Sequence, residues 1–219
     1  MPQNRITDPK GMSTLMKNII TNRIKYLFLT LFTAFLLTGC ASAAALSSPA
    51  ESLDINAEYV TIGHHLTVDN TDSRLTLLDN MDALSADGLY YAAWTMGDSE
   101  PYENNDGDTV DLYDAQLYFL LGEFKDAESA QNNMDTWLSA GKTNYDIQSE
   151  ENVICNGQNY LLITYQFIHT DNPYARGVSA FSVFDNNAVC IELTCRENFD
   201  EDLKAVLTDF LNGCTYDAD

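Results

Sequence analysis

The stretch ENVICNGQNYLLITYQFIHTDNPYARGVSAFSVFDNNAVCIELTC, Glu151 to Cys195, decides how this chain folds. Asn156-Gly157 separates two β-rich runs, Asn152 to Cys155 and Gln158 to Ile168. It is the strongest short hairpin signal, because both central residues of such a turn need positive φ. His169 to Arg176, broken by Pro173, makes a wider turn into a third run, Gly177 to Phe184. Asp185-Asn186-Asn187 then returns the chain into a fourth, Ala188 to Cys195. The spacing predicts an antiparallel meander of four strands.

Upstream of the meander, Asp126 is a good N-cap, Ala127, Ala130, Met134, Trp137 and Leu138 recur at helical spacing, and Gly141 supplies a stop. Trp137 lies on that apolar stripe and is expected in the core. Before the helix, Thr109 to Leu121 alternates, with Tyr113, Ala115, Leu117, Phe119 and Leu121 on a core face and Asp114, Gln116 and Tyr118 on the other. LYYAAWTM, Leu89 to Met96, is apolar on both alternating sets and predicts a central strand covered on both faces. Asp98 to Asp108, DSEPYENNDGD, reads as an exposed acidic loop. It fails as an EF-hand, because Tyr102 and Tyr113 fall where ligands are needed; an irregular Ca²⁺ cage of Asp98, Asp106 and Asp108 is the weaker alternative, and no metal is expected. Further upstream, Ala57 to Val68 and Arg74 to Leu78 read as short strands on either side of the turn Asp69 to Asp72. Downstream, Leu203, Val206, Leu207 and Phe210 line one face of a closing helix, capped by Asn198 or Asp200 and stopped near Gly213.

These elements add up to an α+β domain over residues 51–219: an antiparallel sheet with a C-terminal four-strand meander and two packed helices. Asn156-Gly157-Gln158-Asn159-Tyr160, the strand pair VSAFSVFDNNAVCIELTC and the helix FDEDLKAVLTDFL resemble the second half of PsbP-like α/β/α domains, over roughly Thr109 to Cys214. That resemblance implies a fold and nothing more. LYFLLGEFKDAESAQNNM, Leu117 to Met134, is similar to the first strand and helix of SPOR peptidoglycan-binding domains, though the second strand-helix copy is missing; a SPOR-like or other α+β sandwich is the alternative.

The N-terminus carries an address. Lys17, Arg23 and Lys25 flank an apolar run from Tyr26 to Leu37, which closes on Leu37-Thr38-Gly39-Cys40. This ending resembles the lipobox of bacterial lipoprotein signal peptides. The resemblance implies a signal peptide over residues 1–39 (translation starting at Met12 or Met16), a lipid on Cys40, and a tether over 40–50. An uncleaved membrane anchor is the alternative, disfavoured because Thr38 to Ala50 is small and polar. Either reading puts the domain on the extracytoplasmic face of the bacterial cell membrane.

Beyond Cys40 stand six basic side chains against 32 acidic ones (every acidic residue but Asp8), a net charge of −26. Nucleic-acid binding needs clustered lysine and arginine and is excluded. Anionic headgroups are repelled too, so the membrane is a partner only through the lipid. His64 and His65 are adjacent on a predicted strand and would point to opposite faces; His169 stands alone in a turn. No HExxH, GxSxG, zinc-spaced cysteine pair or phosphate loop occurs. The expected function is a non-enzymatic binding module without cofactor, its partner an envelope protein or glycan; the alternative is a hydrolase with paired carboxylates in a cleft. Tyr90, Trp94 and Tyr118, beside the acidic loop, are the expected binding surface, because aromatic rings with polar tips suit a wet interface. Cys155, Cys190, Cys195 and Cys214 allow three full pairings. If the closing helix runs back along the last strand, Cys190 with Cys214 is the favoured bridge, against four buried free thiols.

Overall fold

The computed structural model describes residues 54–78, 88–103, 107–168 and 172–216. The signal peptide, Cys40, the tether, Asp106 and His169 lie outside them. In chain order the elements are β1 (Tyr59–Ile62), β2 (Leu66–Asp69), β3 (Thr76–Leu77), β4 (Leu89–Glu103), β5 (Thr109–Glu123), α1 (Ala127–Lys142), β6 (Tyr145–Cys155), β7 (Gln158–Phe167), β8 (Arg176–Phe184), β9 (Asn187–Cys195), α2 (Leu203–Asn212) and β10 (Cys214–Tyr216). Seven strands form one antiparallel sheet in the order β3-β4-β5-β9-β8-β7-β6, and β1-β2-β10 form a second, smaller one. The fold is α+β, and β6 to β9 are the expected meander. Asn156 (φ 44°) and Gly157 (φ 81°) occupy the left-handed region in its first turn, as a two-residue hairpin demands.

Alternation along the large sheet sorts its residues onto two faces. Trp94, Leu117, Leu193, Val178 and Leu162 share one face, which α2 and the small sheet cover with Phe210, Leu207, Val60, Ile62 and Val68 to make the main core. Tyr91, Tyr118, Cys190, Glu192 and Tyr165 share the other, against which α1 packs its buried Ala130 and Trp137. Asp126 caps α1 by accepting from Ser129 N–H at 2.8 Å.

Several expectations need correcting. The LYYAAWTM strand is covered on both faces, but β4 is not central; it lies second from the edge, behind the two-residue β3. Asp98 to Asp108 is largely a ribbon rather than a loop. Past a bulge between Met96 and Ser99, β4 and β5 stay paired to Glu103 and Thr109, exposed along most of their length. Gly141 does not end α1; it is buried inside the helix against the Tyr145 ring, and the helix runs to Lys142. Asp202, not Asn198 or Asp200, caps α2 by accepting from Lys204 and Ala205 N–H, while Gly213 ends it as expected. Ala57 to Val68 is not one strand. Gly63-His64-His65 turn the chain between β1 and β2.

Candidate functional site

The three expected binding residues do not share a surface. Trp94 is 1% exposed: Phe210 of α2 meets its ring edge-on at 5.0 Å, and its indole N–H donates to Asn70 Oδ1 at 2.8 Å. Tyr118 is buried on the opposite face of the sheet, paired with Ala93 rather than Trp94. Tyr90 alone of the three is half-exposed, and it stands at the start of β4, the end remote from the acidic ribbon. The leftover apolar area that motivated a surface here is filled by the chain's own helix, as large apolar patches on single domains usually are.

Tyr90 nevertheless belongs to an exposed polar corner built from three segments far apart in the sequence. Glu123 ends β5, Tyr90 begins β4, and the Gly63-His64-His65 turn leans onto both. The Glu123 carboxylate accepts the His64 backbone N–H at 2.6 Å through one oxygen and His64 Nδ1–H at 2.7 Å through the other. A carboxylate can only accept, so Nδ1 carries the proton of this bond, and the rest of the ring belongs to a side chain 72% exposed. The Tyr90 hydroxyl lies 3.2 Å from Nδ1, its ring edge-on to the imidazole at 5.8 Å. Burial, then the Glu123 charge and a hydrogen bond to its carboxylate, pushes the Tyr90 phenol up to about 12, so it keeps its proton. Gly63 makes the approach possible. Its φ is +62°, and a Cβ there would stand 2.5 Å from Glu123 Oε1.

The reading of His64 and His65 as strand neighbours pointing apart is overturned, since both sit in a turn with ring centroids 6.2 Å apart. A histidine pair beside a carboxylate carried no motif; only the hairpin's placement against β5 brings them together. Among the described residues no three His, Cys, Asp or Glu side chains gather as a metal site. The corner presents the exposed His64 ring and the Tyr90 phenol side by side.

A second cluster lies inside. Glu192 on β9 is buried and accepts hydrogen bonds from the Tyr145 and Tyr165 hydroxyls, whose rings stack at 3.6 Å and 11°. Burial pushes its carboxyl up, and the tyrosine donors pull against that. Nearby, Tyr174 O–H donates to Gln116 Oε1 at 2.9 Å. These partners come from β5, β6, β7 and the segment before β8, so the cluster ties strands together under α1 and reaches no open surface.

All four described cysteines are buried, with no bond drawn between their sulfurs. Cys190 faces α1, while Cys214 packs in the core on the opposite face, so the sheet stands between them and the expected Cys190–Cys214 bridge is excluded.

No family model matches this chain, and no curated protein matches it. Among solved structures it is similar to cyanobacterial PsbP (CyanoP) from Synechocystis, at 12% identity and a TM-score of 0.40 over 81% of this chain and 98% of that one. It is also similar to the extracellular domain of PknH from Mycobacterium tuberculosis, at 13% identity and a TM-score of 0.31 over 69% of this chain and 82% of that one. At such distances neither neighbour transfers a function to this chain.

Proposed function

We propose that this protein is a lipid-anchored, extracytoplasmic binding domain without catalytic activity, which meets an envelope ligand at the His64–Tyr90–Glu123 corner. The address rests on the positive flank, the apolar run and the Leu37-Thr38-Gly39-Cys40 ending read together. The binding role rests on one observation: an imidazole held by a carboxylate through both its ring and its own backbone, on a side chain that is largely exposed. Such an oriented imidazole beside a phenol oxygen suits a ligand rich in hydroxyls. Among envelope components, that favours a glycan over a protein surface. The strong negative charge adds to this, because an uncharged sugar meets no repulsion.

Catalysis is not favoured. Glu192, the carboxyl most perturbed by burial, is enclosed under α1 where no substrate reaches it. Glu123 is committed to His64. The test is an NMR titration of the domain with soluble peptidoglycan fragments. Shifts centred on His64, Tyr90 and Glu123, abolished by His64→Ala, are expected. Shifts centred elsewhere, or none at millimolar fragment, would reject the corner as a glycan site.

A further inference from the structure

We propose that Cys155 and Cys214 are a disulfide pair that staples the Asn156-Gly157 hairpin to the C-terminal strand β10. Both are buried in the same core cluster, on the α2 side of the large sheet, together with Tyr160 and the partly buried Tyr216. The hairpin and the end of the chain are already held to each other by residues next to the two cysteines in sequence. Asn156 N–H donates to Asn212 Oδ1 at 3.1 Å, and its side-chain amide donates to the Cys214 carbonyl at 2.7 Å. Thus the residue next to Cys155 is bonded directly to the backbone of Cys214. The Tyr160 and Tyr216 hydroxyls also meet, their ring centroids 6.5 Å apart.

The other cysteines do not compete. Cys190 faces α1 across the sheet, and Cys195 lies at the opposite end of β9 from the strand end that neighbours this hairpin. Burial, then the Cys155 sulfur, pushes the Cys214 thiol up to about 12. The folded dithiol is therefore slow to react, and closure belongs to the stage before the core seals.

The chemistry is a thiol–disulfide exchange with a disulfide donor RSSR. One cysteine thiolate attacks the donor and expels one RS⁻; the other attacks the resulting mixed disulfide and expels the second. The two protein sulfurs lose two electrons, the donor is reduced to two thiols, and the two protein protons end on those thiols. Nothing here depends on the corner ligand, so the two proposals fail separately.

The test uses the wild-type chain, unfolded and reduced, then refolded with and without oxidised glutathione. Free thiols are alkylated, and the unreduced digest is read by mass spectrometry. A peptide pair joining Cys155 to Cys214, with Cys190 and Cys195 alkylated, is the expected result, and the crosslinked form should unfold at a higher temperature until a reductant removes the gain. Full alkylation of Cys155 and Cys214 after oxidative refolding, crosslinks to Cys190 or Cys195 instead, or no change of midpoint on reduction would overturn the staple.

Discussion

Replacing Phe210 with alanine tests whether α2 closes the sheet face over Trp94. Phe210 is 5% exposed and packs against Trp94 at 5.0 Å and Phe119 at 6.3 Å. Truncating a buried phenylalanine costs about 3–5 kcal/mol, which includes the roughly 0.5–1.5 kcal/mol of an edge-on aromatic pair. Against a total stability of about 5–15 kcal/mol, the domain should survive, much weakened. With a urea dependence of about 2 kcal/mol per molar, the midpoint should fall by roughly 2 M. Placed in a Trp137→Phe background, which leaves Trp94 as the sole indole, the same substitution should make fluorescence more quenchable by acrylamide. A midpoint shift below about 0.5 M with unchanged quenching would mean that α2 does not cover Trp94, and the sheet face would again be available as a binding surface.

Three further outcomes follow from local geometry. Gly63→Ala should push the Glu123 carboxylate away, since the new Cβ would meet it at 2.5 Å in a left-handed backbone; it should cost about 1–3 kcal/mol, and hydrogen exchange at the His64 amide, measured by NMR, should accelerate. Glu192→Gln should change how stability depends on pH. The folded carboxyl is raised, so its favourable contribution is full below the usual glutamate value and is lost as pH rises through the folded one, because the unfolded chain ionises first. In urea titrations, wild type minus variant should therefore fall with rising pH, by at most about 1.4 kcal/mol per unit, and a difference that rises would contradict the assignment. Asp126→Ala, which removes the acceptor for Ser129 N–H, should cost about 1 kcal/mol in the same assay.

The meander was legible because each of its turns carries its own chemistry: Asn156-Gly157 needs positive φ, and Asp185, the other non-glycine at positive φ among the described residues, starts the last turn. Both helices were legible from their apolar stripes, since Trp137 and Phe210 recur at the spacing that buries one face. What failed was long-range. Tyr90, Trp94 and Tyr118 differ in fate because of what packs over them, and the sign of a sheet face is invisible until α1 and α2 choose sides. The cysteine pairing failed for the same reason, as a parity step along β9 sends Cys190 away from Cys214. The two-residue β3 and three-residue β10 are too short to show alternation, and the corner required the β1–β2 turn to be recognised inside what reads as one strand.

The proposed lipid anchor is tested most directly by the state of Cys40. Intact-mass and N-terminal peptide analysis of protein extracted from membranes should find a mature chain beginning at Cys40 with a diacylglyceryl group on its sulfur, and Cys40→Ser should leave a chain without that lipid. An unprocessed N-terminus retaining Tyr26 to Gly39, with an unmodified Cys40 thiol and undiminished membrane partition in the serine variant, would contradict it and put a spanning anchor in place of the lipid.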